Sequence, residues 1–305
     1  MSVTINSKVV ELDDLIPKVV DRECEDEDVE RLIPWVFQHS DIVDGDCLES
    51  GPKEGCEFQP LFYHLQSYRC ELQANDSDDT GISNIFVPSE TITLPRKSWR
   101  MPGREQFTHF INDQCTITKL LLQSIYLSLD HDVKAPDPKV EFTTAARDLK
   151  YTIGGSRYAT RLEGAVLAGP RAQYMPMIAF TGWFIGQTWN AFLMETFSAM
   201  LGQLTRNLSL LQTGFEDQEV FIVGFYGPYL HIARGFFTKD RISRVHAEGN
   251  FDQGPVSLQF TRGYDLFLKE DWLEATRALT RLLRYLHSGK SRVGAVQKER
   301  RSPSV

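Results

Sequence analysis

The sequence predicts an α+β domain in which a mixed central sheet is flanked by helices. Three observations lead there. Long stretches near residues 104–129 and 269–286 space their apolar residues by three and four, as helix faces do. Two strand–turn–strand patterns centre on Gly154-Gly155 and Gly227-Pro228. No segment repeats at a fixed period, so these elements must share one layered core. With 305 residues, 42% of them hydrophobic and 24% charged, the chain is long enough to build it.

The elements follow in order. Residues 1–60 hold sixteen acidic and five basic residues, a net charge of −11 that leaves +3 for the rest of a chain whose total is −8. Within them ECEDEDVE at 23–30 reads as a solvated helix face rather than an interaction tail, because Leu32, Ile33, Trp35, Val36 and Phe37 follow at helix-like density. A polar insert, QANDSDDTGISN, precedes a strand candidate at Ile85–Val87. From Arg104, the residues Phe107, Phe110, Ile111, Ile117, Leu120, Leu121, Ile125 and Leu129 mark an amphipathic helix, ended by the prolines of HDVKAPDPK.

Lys150–Ile153, the Gly-Gly turn and RYATRLEGAVLAG form a hairpin, and MPMIAFTGWF is a buried strand. Thr188 caps a long buried helix over WNAFLMETFSAMLGQLTRNLSLL. EVFIVGFYG and YLHIARGFF make the second hairpin, with RISRVHAEG and PVSLQF as weaker strand candidates. The helix from Lys269 to Leu286 places Trp272, Thr276, Leu279, Leu283 and Leu286 on one stripe, with Arg277, Arg281 and Arg284 off it. The closing GKSRVGAVQKERRSPSV reads as a basic, disordered tail. Three segments result: an acidic N-terminal arm and insert packing on the core (1–103), the α/β core (104–289) and the tail (290–305).

Several function classes drop out. A net charge of −8 gives no long-range attraction to nucleic acid. No apolar run reaches the length of a membrane span, and MSVTINSKVVELDDLIPKVV lacks the basic-then-apolar pattern of a secretory signal, so cytoplasm or nucleus is the expected compartment. Cys24, Cys47, Cys56, Cys70 and Cys115 form no CxxC pair and read as reduced thiols. The seven histidines form no HExxH, and neither GxSxG nor GxxxxGK[ST] occurs. No cofactor is expected.

Helix, hairpin with an acid, buried strand and helix, carried by RLEGAV, WNAFLMETFSAMLGQL, LHIARGFF and FTRGYDLFLKEDWLEATRALTRLLRYL, resemble the restriction-endonuclease-like, PD-(D/E)XK superfamily. More narrowly, they are similar to uncharacterised fungal proteins with that nuclease-like fold. The resemblance implies a restriction-endonuclease-like core. Active members hold divalent metal on strand-end carboxylates, which polarises the scissile phosphate and activates water, and a lysine two residues beyond the second acid assists. In this chain the first acid is Glu163. The strand expected to carry E-x-K reads Thr181-Gly182-Trp183, so the second acid and the lysine are both missing.

Four residues therefore define the candidate site: Glu163, Thr181, Trp183 and Glu195. Glu163 is either a surviving ligand or a strand-edge acid paired with Arg157 or Arg161. Glu195 is either a migrated ligand or a solvated helix-face acid. Trp183, Phe184, Trp189, Phe192 and Phe197 line an apolar pocket or belong to the core. With no metal expected, the leading expectation is a binding or regulatory module that has lost the nuclease site. The alternative is a metal-independent cyclase or isomerase of fungal small-molecule biosynthesis, reusing an apolar cleft. Expected partners are an apolar small molecule or a protein, without tight nucleic-acid binding or membrane association. Glu163, Thr181 and Trp183 should meet at one end of the sheet with Glu195 alongside, and the acidic run at 21–30 should attract the arginines of the C-terminal helix.

Overall fold

A computed structural model describes residues 1–43, 58–74, 87–94, 104–129, 139–169, 173–211, 215–249 and 254–301. Cys47, Cys56, Ile85, Arg171 and nearly all of the polar insert lie outside the described residues. The chain is α+β, with a nine-stranded mixed sheet and, among the described residues, nine α-helices. No helix among them is long and apolar enough to cross a membrane.

The N-terminal elements are β1 (Ser2–Val9), α1 (Leu12–Leu15), α2 (Arg22–Arg31), α3 (Trp35–His39), α4 (Gln59–Ala74) and β2 (Ser89–Thr93). A 3-10 turn at Arg104–Phe107 opens α5 (Thr108–Ser128), followed by β3 (Val140–Thr143), β4 (Arg147–Ile153), β5 (Ser156–Leu162), β6 (Gly164–Ala168) and β7 (Met175–Thr181). Then come α6 (Trp189–Leu211), β8 (Gln218–Tyr226), β9 (Tyr229–Phe237), α7 (Lys239–Glu248), β10 (Val256–Phe260), β11 (Tyr264–Asp265), α8 (Lys269–His287) and α9 (Gly294–Arg301).

Local chemistry accounts for most of these boundaries. Gly154 and Gly155 both take positive φ (52° and 73°), the geometry of a tight hairpin turn, and β4 and β5 pair in register across it as a separate ribbon. The chain passes from that ribbon into the main sheet at Glu163. All seven residues of β7 and all nine of β8 are buried, as expected of strands covered on both faces. The Thr188 hydroxyl accepts the Ala191 N–H and caps α6.

The sheet order is β2-β1-β10-β9-β8-β7-β6-β3, with β11 also on β9. β1 runs parallel to β10 and β7 parallel to β8, and the remaining neighbours are antiparallel. Alternation along β8 separates two helical layers. Phe221 meets Tyr285 of α8 and Phe225 meets Tyr68 of α4, whereas Tyr226 meets Trp189 and Phe192 at the start of α6.

Three expectations require correction. RISRVHAEG is helical: Thr238 caps α7 by accepting the Arg241 N–H, and Gly249 closes it in the left-handed region at φ 70°. The tail is ordered through α9, and Val293, Ala295 and Val296 are buried against the core. The N-terminal segment is more than an arm, because β1 lies inside the sheet between β2 and β10, with Val3 and Ile5 in the core.

The acidic helix α2 docks on α8. Arg281 forks onto Glu25 at 2.6 and 2.7 Å and reaches Asp13 at 2.6 Å, Arg284 bonds Asp28 at 2.6 and 2.9 Å, and Arg277 pairs with Asp26. Glu25 and Asp28 are buried rather than solvated, and Arg281 and Arg284 are equally buried although they lie off the apolar stripe. Paired guanidinium–carboxylate forks make that burial tolerable.

Candidate functional site

Glu163 stands where β5 ends and β6 begins, and its backbone N–H donates to the Phe180 carbonyl of β7 at 3.1 Å. β6 and β7 are antiparallel, so the start of β6 and the end of β7 share one end of the sheet. Glu163 and Thr181 therefore lie at that end, with Trp183 two residues beyond the strand. Glu195 sits on α6 and joins Glu163 through a third group.

That group is Arg104, at the mouth of α5. Its Nη1 donates to both Glu195 oxygens, at 3.0 and 2.9 Å, and its Nη2 donates to Glu163 Oε1 at 2.6 Å. Arg161 Nε adds a bond to Glu163 Oε1 at 3.1 Å. Both carboxylates are buried, so Glu195 is not a solvated helix-face acid. Burial pushes the Glu195 carboxyl up to about 7, against the pull of Arg104. Burial also drives the neighbouring Cys115 thiol far above its ordinary range, which leaves it without nucleophilic character.

The other two candidates do different work. Thr181 Oγ1 is buried without a hydrogen-bond partner and faces the backbone of Gly224 on β8. Trp183 is held by Gln114 of α5, which donates to its carbonyl at 2.7 Å and accepts its N–H at 2.8 Å. The indole packs between Phe110 and Tyr226 and donates to the Gln187 carbonyl at 3.3 Å. Trp183 is thus a core residue. The opening beside Glu163 is a small cleft of about 60 Å³ lined by Arg104, Thr108, Ile111, Asn112 and Arg161 among others, so charged side chains border it.

An apolar cavity lies elsewhere. Between β4, α6 and α7, Tyr151, Leu201, Leu204, Phe237 and Ile242 line a space of about 210 Å³ with Arg241 at its side. No protein-family model matches the chain, and no curated protein matches it significantly. Function must therefore be argued from the geometry.

Chemically, the Glu163–Arg104–Glu195 cluster is a fixed ion triad. A metal ion there would have to displace a guanidinium that already satisfies three carboxylate oxygens. Reading the sequence singled out both acids but missed Arg104, which is 59 residues from one and 91 from the other. Among the described residues, metal-ligating atoms gather instead at Glu71, His109 and Asp113.

Proposed function

We propose that this protein is a restriction-endonuclease-like domain that works without a nuclease metal centre, as a binding or regulatory module. The observation that carries the reading is Arg104, whose guanidinium lies between the two acids that a metal-dependent member would need free. The order α5, β3, the β4–β5 ribbon, β6, β7, α6, β8, with β7 and β8 parallel across α6, supports the fold assignment. Thr181 and Trp183 at the acid and lysine positions support the loss of water activation.

A nuclease assay tests this. Supercoiled, linear and single-stranded DNA, and RNA, should survive incubation with the protein in magnesium or manganese. Cleavage that disappears in Glu163→Ala would overturn the reading.

A second reading, a metal-independent cyclase or isomerase acting on an apolar small molecule, cannot use the expected cleft at Trp183, whose indole is packed in the core; the cavity beside Leu204 and Phe237 is what favours the reading instead. An environment-sensitive apolar dye should then bind the wild type and fail to bind Leu204→Trp, which fills the cavity. Equal binding by both proteins would count against it.

A further inference from the structure

The helices α4 and α5 bring together four side chains that the cluster around Arg104 does not use. His64 and Glu71 are seven residues apart on one face of α4, and His109 and Asp113 are four apart on one face of α5. His64 Nδ1 bonds Asp113 Oδ1 at 2.8 Å. His109 Nδ1 lies 3.6 Å from Glu71 Oε1 and 3.6 Å from Asp113 Oδ2. The donor atoms of Glu71, His109 and Asp113 all fall within 4.8 Å of one another.

Asp113 is the decisive member. It is only 4% exposed, and its Oδ2 is buried with no hydrogen-bond partner. A buried carboxylate oxygen in that state is costly and unusual, and an ion is one of its ordinary explanations. The other oxygen is fixed by His64, as a metal-ligating carboxylate is commonly fixed by an outer hydrogen bond.

We propose that Glu71, His109 and Asp113 bind a divalent first-row ion of the zinc class, with His64 orienting Asp113 and a fourth position open to solvent. One imidazole and two carboxylates suit such an ion, whereas calcium and magnesium prefer all-oxygen shells. Zinc–ligand bonds of about 2.0–2.2 Å put tetrahedral donors about 3.3–3.6 Å apart, which is the separation His109 already keeps from both carboxylates. The ion would cross-link α4 to α5. The site is independent of the reading of Glu163 and Glu195, which lie in a different cluster.

Calorimetric titration of zinc chloride into the chelator-stripped 305-residue chain tests this. The expected result is one saturable site per chain, weakened at least about ten-fold by His109→Ala and by Asp113→Asn, and about ten-fold by His64→Ala. The His109 side chain is 78% exposed, so its variant should fold even if Asp113→Asn does not. Cobalt bound at this site should give nitrogen–oxygen ligand-field bands without a thiolate charge-transfer band. Absence of saturable binding would overturn the proposal, as would binding kept in His109→Ala but lost in Cys70→Ser. Binding kept in His109→Ala but lost in Glu163→Ala would overturn it too, and only that outcome would also count against the metal-free nuclease cleft.

Discussion

Replacing Arg104 with methionine should be among the most damaging single changes at the end of the sheet. The side chain is almost fully buried and supplies three hydrogen bonds to Glu163 and Glu195, which are buried as well. Its loss leaves Glu163 with the half-exposed Arg161 and leaves Glu195 in a low-dielectric site. Breaking a buried pair by removing one partner costs about 3–5 kcal/mol, most of it from the charge left behind.

The pH dependence is the sharper signature. Glu195 already titrates near 7 in the native protein against an ordinary 4.5, so the folded state holds that proton more tightly than the unfolded chain. Its contribution to stability is therefore full below 4.5 and is lost as pH rises through 7. Without Arg104 the carboxyl titrates higher still. The deficit of Arg104→Met should then be nearly flat below pH 7 and grow above it by up to about 1.4 kcal/mol per pH unit. Urea unfolding of both proteins at pH 6 and pH 8.5 measures this directly. A deficit under about 1 kcal/mol that is the same at both pH values would refute the buried-triad account. Replacing all three residues with apolar ones should recover most of the loss.

Other outcomes follow from the same packing. Burial lowers the His231 imidazole from 6.5 to about 3, so its ring proton signals should not shift between pH 8 and 4, and the stability it contributes should fade as pH drops from 6.5 towards 3. Titration near pH 6.5 by NMR would contradict its burial. In Gly224→Ala the new methyl carbon would lie 2.3 Å from the Thr181 carbonyl oxygen and 2.6 Å from Oγ1, so calorimetry should record a loss of about 2 kcal/mol or more. A double-mutant cycle between Glu25→Gln and Arg281→Met should give a coupling of about 2 kcal/mol that survives 0.5 M salt, and a coupling near zero would place that fork in solvent.

Periodicity and turn chemistry made the core elements legible: α5, the Gly154-Gly155 ribbon, β7, α6, the β8–β9 hairpin and α8. Residues 239–248 misled because the Ile and Val of RISRVHAEG suggested a strand, although Thr238 and Gly249 are the two ends of a capped helix. The tail misled because its charge hid Val293, Ala295 and Val296, which anchor α9. At the candidate site, both acids could be singled out from the sequence, but Arg104, the group that neutralises them, came from a distant turn with no local mark. The i, i+4 pair His109 and Asp113 was visible in the sequence. Its partners on α4 were not, because only tertiary packing sets the two helices side by side.

The parallel pairing of β1 with β10 joins Ile5 to Val256, so β1 can pair with β2 soon after both are made, but its other edge is covered only by a strand synthesised much later. At about 5–20 residues per second, the intervening length takes roughly 12–50 s to synthesise. Throughout that interval one edge of β1 stays uncovered, and α2 waits about equally long for the arginines of α8. Joining β1 to β10 is therefore a late step that brings together segments far apart in the sequence. A stalled or truncated product would retain β6 to β9 yet expose the edge of β9 that β10 should cover, which makes such fragments natural substrates for chaperones and proteases.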